Sequence, residues 1–256
     1  MEDFDVIVLG SGAAALASAV SASGHGAQKV GIFEKASVLG GTSAMSGGMI
    51  WIPGNYHMAE QGIADSREEA LTYLASLSHD RMRSELVEAY IDNGPTMVKW
   101  FEDNTEVAFE IVEDFPDYHP ENPGANRTGG RSLECPLFPF AELGEWEHRI
   151  SQSRQMSPHL LMNETTLGRG AITGAPREIV QQRAEENLRG CGQALIGRLL
   201  KSCLDRDIVI EIDYQAEELI INNGVVQGVK FNTPLGVKEI TAQNVIIATG
   251  GFEWNK

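Results

Sequence analysis

Apolar residues recur along the chain in three rhythms, and each predicts an element. The continuous runs Val6–Leu9 and Val30–Phe33 read as strands buried on both faces, with a small-residue helix through Ala19 and Val20 between them. Ala194, Leu195, Leu199, Leu200 and Leu204 return at helical spacing, so an amphipathic helix is expected from Gly192. Alternation follows it, giving strands over 207–213, 216–222, 225–232 and 236–242, with Asn223-Gly224 as a hairpin turn. A last apolar strand, Asn244 to Ala248, runs into Thr249-Gly250-Gly251.

The middle of the chain carries weaker signals. Residues 36–58 are glycine-rich and irregular. A helix opens at Asp65–Glu69, where Ser66 and Glu69 have capping-box spacing, and runs to about Leu77. A second helical stretch starts near Ser84. It is expected to break at Gly94-Pro95, because proline disfavours helix in the residue before it, and to resume through Trp100 and Phe101. A short strand is expected over 107–112. Prolines at 116, 120, 123, 136 and 139 make 113–144 read as a structureless lid or binding loop. Residues 145–190 have no clean period.

The first strand feeds directly into Gly10-Ser11-Gly12-Ala13-Ala14-Ala15, and the second stops at Glu34. This is the context in which a glycine-rich turn binds a dinucleotide. Gly10 permits the tight turn, and Gly12 lets the backbone approach a pyrophosphate. Ala15 is small enough for helix to pack on strand. The diphosphate is expected at the helix N-terminus, where unpaired N–H groups favour negative charge. Ser11, Ala13 and Ala14 belong to the same cradle. Glu34 suits a ribose with a free 2′-hydroxyl and would repel a 2′-phosphate, so NADP is not expected.

Length and charge narrow the class. The 256 residues allow one large domain or two small ones, 42% hydrophobic and 22% charged. A formal charge of −16 argues against nucleic acid and against anionic lipid as partners. No apolar run has the length of a membrane span. Only five residues precede the first strand, so no leader is expected. Cys135, Cys191 and Cys203 are odd in number and lack metal-ligand spacing, which points to a reducing cytoplasm. The six histidines show no i, i+4 pair, and no metal is expected.

After the fingerprint, a nicotinamide enzyme would keep alternating strand and helix. This chain instead enters Glu34-Lys35 and Gly40-Gly41-Thr42-Ser43-Ala44-Met45-Ser46-Gly47-Gly48, with a meander and Ala248-Thr249-Gly250-Gly251 much later. Together these resemble the FAD-binding flavoproteins of the fumarate reductase, succinate dehydrogenase and 3-ketosteroid dehydrogenase family, over essentially the whole chain. The resemblance implies an α/β fold. Its parts would be a Rossmann-like FAD-binding βαβ unit of glutathione-reductase type, a β-meander, and an incomplete α+β substrate or cap region. The corresponding divisions are 1–58, 59–190 and 191–256. FAD is then expected rather than NAD. Thr42, Ser43 and Ser46 would hydrogen-bond the diphosphate or the ring edge, Gly47 and Gly48 would bring bare backbone against the isoalloxazine, and Ala216 would offer its backbone to the adenine. Lys35 and the Ala248, Thr249 and Gly250 segment complete the set. Gly41 stands nearest the histidine that bonds covalently to flavin in succinate dehydrogenases, so dissociable FAD is expected.

Within the family, the chain most resembles the 3-ketosteroid dehydrogenases. Trp51-Ile52-Pro53, Phe115-Pro116-Asp117-Tyr118, Gly130-Arg131-Ser132-Leu133 and Gly192-Gln193-Ala194-Leu195 carry that likeness. Met45 stands where that branch usually has tyrosine, and Gln193 where it often has arginine. The resemblance implies α,β-desaturation of an apolar ketone: a base removes a proton beside the carbonyl and hydride leaves the β-carbon for flavin N5. Tyr118 matches the family's assisting active-site tyrosine. Asp117 and His119 read as solvated loop residues and Trp51 as packing beside the flavin. Arg127, Arg131 and His119 could instead clamp a dicarboxylate, which makes fumarate reduction the second enzymatic reading. Family members are considerably longer, and their principal base and carbonyl-binding groups come from the later part. Three readings follow: a subunit completed by a second polypeptide, a fragment of a longer chain, or a flavin-binding module without catalysis.

Overall fold

The computed structural model describes residues 3–154, 156–168 and 174–251. In chain order these form β1 (Asp3–Leu9), α1 (Ala13–Gly24), β2 (Val30–Phe33), α2 (Gly41–Met45), β3 (Ile50–Trp51), α3 (Tyr56–Glu60), α4 (Arg67–Leu77) and α5 (Ser84–Asn104). Then come β4 (Glu110–Ile111), β5 (Ser132–Glu134), β6 (Phe138–Pro139), 3-10 segments at Phe140–His148 and Met162–Glu164, α6 (Arg177–Glu185) and β7 (Leu188–Arg189). The chain finishes with α7 (Cys191–Leu204), β8 (Val209–Glu211), β9 (Gln215–Asn222), β10 (Val225–Thr233) and β11 (Gly236–Ile247). Two compact units result. The first comprises the residues up to Ser46, Phe140–Pro158 and the residues from Gly192 on; the second comprises Gly47–Pro139 and His159–Cys191.

The first unit is built on a six-stranded sheet of order β8-β2-β1-β11-β10-β9. The members β8, β2, β1 and β11 run parallel, and β10 and β9 continue antiparallel as the meander. One apolar cluster joins the crossover to the meander: Phe4, Ile7, Leu9 and Phe33 pack with Val229, Phe231, Ile240 and Ala242. Phe33 stacks on Phe231 with ring centroids 4.8 Å apart. Helix α1 buries Ala15, Leu16, Ala19 and Val20. Full burial of Leu16 or Val20 is worth about 1.5–3 kcal/mol, whereas the alanines contribute mainly by allowing close approach.

Three expectations change here. The strands expected over 236–242 and 244–248 are one twelve-residue strand, β11. Gln243 and Asn244 do not break it, because Asn244 pairs with Val6 and both side-chain amides donate to Asp5. Helix α5 runs unbroken through Gly94-Pro95. The residue before the proline has no Cβ to meet the proline ring, and Gly94 sits so close to Ile52 that an added Cβ would lie 3.1 Å from Cγ2. Burial of Ile91, Val98 and Phe101 offsets the lost backbone bond. The 113–144 stretch is not structureless, since β5 forms the middle strand of a sheet ordered β3-β5-β4.

The second unit is held at its centre by a buried cation. Arg131 donates to Asp65 Oδ1 at 2.6 Å and to Asp117 Oδ2 at 2.8 Å, all three side chains being at most 3% exposed. Its guanidinium lies over the rings of Trp51 and Tyr73. Burial alone pushes the Arg131 pKa down; the bonds and charges of Asp65 and Asp117 more than offset this and leave it raised.

Candidate functional site

At the C-terminal end of the parallel strands the first unit opens a cleft of about 730 Å³. Its walls bring together Gly10, Ser11, Gly12, Ala13, Ala14, Glu34, Lys35, Gly41, Thr42, Ser43, Ala248, Thr249 and Gly250. A second hollow of about 240 Å³ shares Gly10, Glu34, Lys35 and Thr249 and adds Ala216 with Tyr214 and Gln215. The place is the one open parallel sheets offer to ligands, beyond the carboxyl ends of the strands. Ala36, Val38, Met45, Ser151 and Ile247 also line the main cleft. Met45 belongs to the Gly40–Gly48 motif, but no motif marked the other four; Ser151 arrives from the poorly patterned region through the Phe140–Pro158 segment.

The two fingerprint glycines do different work. Gly10 has φ +103°, and a Cβ there would lie 2.4 Å from the Ala248 carbonyl oxygen, so this glycine is demanded by the protein's own end of β11. Gly12 has φ −70° and caps α1 with no side-chain hydrogen bond. A Cβ on it would meet Ser43 Oγ at 3.5 Å and the Gly40 carbonyl oxygen at 4.0 Å, both ordinary contacts. The protein therefore does not need that glycine for packing, and the space it leaves is available to a ligand at the helix start. Ser43 Oγ accepts from the Ala13 N–H at 3.2 Å, which places one hydroxyl at the same helix end.

Glu34 is held at both carboxylate oxygens. Ser11 Oγ donates to Oε2 at 2.6 Å, and the Ala36 N–H donates to Oε1 at 2.9 Å. Ser46 and the glycines after it are not on the cleft wall. Ser46 Oγ donates to the Ser43 carbonyl at 2.8 Å. Gly47 and Gly48 belong to the second unit, where a Cβ on Gly47 would meet Met162 Sδ at 2.8 Å. That contact is a packing reason for glycine which the sequence did not disclose.

In the second unit Tyr118 is 74% exposed, its ring 6.0 Å from that of Phe115. Its neighbour Asp117 is not the solvated residue expected. It is buried, accepting from Arg131, from Trp51 Nε1 at 2.6 Å and from the Asn126 N–H at 2.8 Å. Trp51 packs between Tyr73 and Tyr90. His119 is exposed beside Glu121. Arg131 is committed to two carboxylates, which removes it from any clamp on a dicarboxylate.

A family model described as an FAD binding domain matches residues 5–255. The chain belongs to that family. Among individual relatives, 4-oxocyclohexanecarboxylate 2-dehydrogenase of Sinomonas cyclohexanicum is 37% identical over 98% of this chain and 44% of its own length. The 3-oxosteroid 1-dehydrogenase of Mycobacterium tuberculosis strain H37Rv is 32% identical over 100% of this chain and 48% of its own. The crystal structure of 3-ketosteroid delta1-dehydrogenase from Sterolibacterium denitrificans superposes with a TM-score of 0.86 at 30% identity. It covers 99% of this chain and 48% of that one. The chain thus spans about half the length of the curated relatives it matches.

As an FAD-binding domain, the first unit has the expected architecture of crossover, meander and glycine-rich second segment. Gln193, standing where the ketone-desaturating branch often has arginine, is buried and donates to the Ala44 and Ser151 carbonyls. It thereby ties α2 to the returning segment. Gly192 makes this approach close: a Cβ there would lie 2.1 Å from the Ser43 carbonyl oxygen. Among the described residues there is no group of three or more potential metal ligands and no helix long and apolar enough to cross a membrane.

Proposed function

We propose that the cleft of the first unit holds FAD non-covalently and that the chain is the FAD-binding part of an enzyme desaturating a cyclic ketone at the α,β-position. The observation that carries the reading is the start of α1 at Gly12, a cap residue with no side chain, facing a cleft bounded by Glu34, Thr42, Ser43 and Gly250. The orphan N–H groups there and the Thr42 and Ser43 hydroxyls would take the diphosphate, Glu34 the adenosine ribose, and the Ala216 hollow the adenine. Ser46, which closes α2, would lie towards the flavin ring. Gly41 offers no atom for a covalent link. When bound, FAD supplies the two-electron acceptor.

Tyr118 is assigned to proton movement on the substrate, its loop anchored by the Asp117–Arg131 pair and its phenol open to solvent. The ketone reading is favoured over fumarate because Arg131 is occupied, and because the relatives of 37% and 32% identity bear the names of ketone dehydrogenases. A second polypeptide, or further length of the same one, supplies the remaining substrate-binding and proton-transfer groups. The buried thiols Cys135, Cys191 and Cys203 fit a cytoplasmic setting.

The test is to purify the chain with and without co-expressed neighbours, record its flavin spectrum, release the flavin with acid and assay 4-oxocyclohexanecarboxylate and a 3-oxosteroid. Acid-released FAD with turnover only in the completed enzyme is expected. Turnover by this polypeptide alone overturns the need for further groups, and bound flavin with no turnover in any combination reduces the chain to a binding module. A colourless folded protein overturns the whole reading.

A further inference from the structure

The residue between the two fingerprint glycines, Ser11, is 1% exposed and its hydroxyl is spoken for. It has one proton to give, and that proton goes to Glu34 Oε2 at 2.6 Å. Ser11 Oγ itself accepts from the Gly40 N–H at 3.0 Å. A phosphate oxygen needs a donor, and Ser11 Oγ has none left. Glu34, in turn, has its backbone fixed on both sides: its N–H donates to the Glu211 carbonyl and its carbonyl accepts from the Tyr214 N–H, each at 2.9 Å. With Ala36 N–H on Oε1, the Ser11 hydroxyl is the second of two bonds that set the carboxylate plane.

We propose that Ser11 is a positioning residue: it aims the Glu34 carboxylate at the adenosine ribose of the cofactor and does not bind the diphosphate. This rests on the assignment of the cleft to FAD and of Glu34 to the ribose. Each carboxylate oxygen keeps a further lone pair for a ribose hydroxyl, and the pair of internal bonds leaves the side chain one orientation in which to offer them. Discrimination between a ribose and a deoxyribose thereby becomes a property of the Ser11–Glu34 pair rather than of Glu34 alone. Substitution of Ser11 by alanine does not orphan the backbone, because the Gly40 N–H also reaches the Ser11 carbonyl oxygen at 3.1 Å.

The experiment titrates ADP and 2′-deoxy-ADP calorimetrically into the full chain freed of flavin, as wild type, Ser11→Ala, Ser11→Cys and Glu34→Gln. Wild type is expected to favour ADP about tenfold, the scale of a hydrogen bond to a charged group. Ser11→Ala is expected to reduce that preference below about threefold while holding 2′-deoxy-ADP within about twofold of wild type, and Ser11→Cys to fall between. Glu34→Gln should abolish the preference. If Ser11→Ala weakens both ligands equally, Ser11 serves folding or the diphosphate and the inference is overturned while the ribose assignment stands. If wild type itself binds the two ligands alike or binds neither, the ribose assignment fails and the inference with it. Should the alanine variant not fold, the cysteine variant decides by the same ratio.

Discussion

Arg131 and Asp117 face each other at 2.8 Å, each with a side chain only 2% exposed. Asp117 also receives Trp51 Nε1, so one carboxylate joins β5, the 113–130 loop and the aromatic residues packed on Tyr73. The loop that carries Tyr118 is anchored one residue away from it.

Replacement of Asp117 by alanine leaves Arg131 with Asp65 as its one remaining carboxylate, beside the Gly124 carbonyl, and strands the indole N–H. Loss of one partner of a buried ion pair costs about 3–5 kcal/mol, so thermal or urea unfolding should show a drop of that order. Asp117→Asn, which still accepts from Trp51, should lose less. Equal stability of the alanine variant and wild type would remove the anchor from the account.

The two fingerprint glycines should separate in a single experiment. Gly10→Ala combines a positive φ with a near-collision against the Ala248 carbonyl, and the strain alone is worth about 1–3 kcal/mol. It should destabilise the flavin-free protein. Gly12→Ala makes only ordinary contacts, with Ser43 Oγ at 3.5 Å and the Gly40 carbonyl oxygen at 4.0 Å, and should leave the flavin-free protein within about 0.5 kcal/mol of wild type. Its effect should appear in FAD affinity, as a loss of tenfold or more by fluorescence titration. Unfolding of Gly12→Ala, or undiminished flavin binding, would contradict the assignment.

Glu134 gives the second unit a dependence on pH. Burial pushes its carboxyl up to about 7; the Met162 N–H, donating at 2.6 Å, pulls the other way, and the charge on Glu110 adds to the rise. A carboxyl whose pKa is higher folded than unfolded stabilises the fold in its protonated form. That contribution is whole below the ordinary carboxylate range and disappears as pH rises through about 7, amounting to a few kcal/mol. The difference in Tm between Glu134→Gln and wild type should therefore grow from pH 5 to pH 8 in favour of the glutamine. A constant difference would show that Glu134 does not titrate there.

Tyr118→Phe should leave FAD binding and Tm unchanged, since the phenol is exposed. In the completed enzyme kcat should fall by about a hundredfold, the lower end of what a proton-transferring group contributes. A variant with full turnover would make Tyr118 a loop residue only.

What could be read from the chain divides along its two units. The first was legible because its signals are local: a strand, a turn with glycines, a strand ending in an acid, an Asn-Gly hairpin. The Gly10–Ala14 cradle, Glu34 and the Ala248–Gly250 segment do share one cleft. The second unit hides its logic in distant pairs. In sequence Asp65 reads as a helix start, Asp117 as a solvated loop residue and Arg131 as part of a motif, and only the fold makes them one buried group. Gly94-Pro95 misleads for the same reason, since tertiary burial of α5 overrides the local penalty of proline. Gly47 was read for its freedom to approach a ring, and its crowding by Met162 has no local signature.

Strand β11 serves two neighbours in succession. Gly236–Thr241 is laid against β10, and Thr241–Ile247 against β1, with Thr241 common to both ladders. The cleft end of this strand is indexed to the parallel side alone, through the Ala248 carbonyl above Gly10. Insertions at the Thr233–Gly236 hairpin can be absorbed as bulges in the meander. A single residue added after Thr241 would shift the phase of the lip of the cofactor cleft and drive a carbonyl away from the one glycine shaped to receive it. Tolerance to lengthening should thus change abruptly at the midpoint of one unbroken strand.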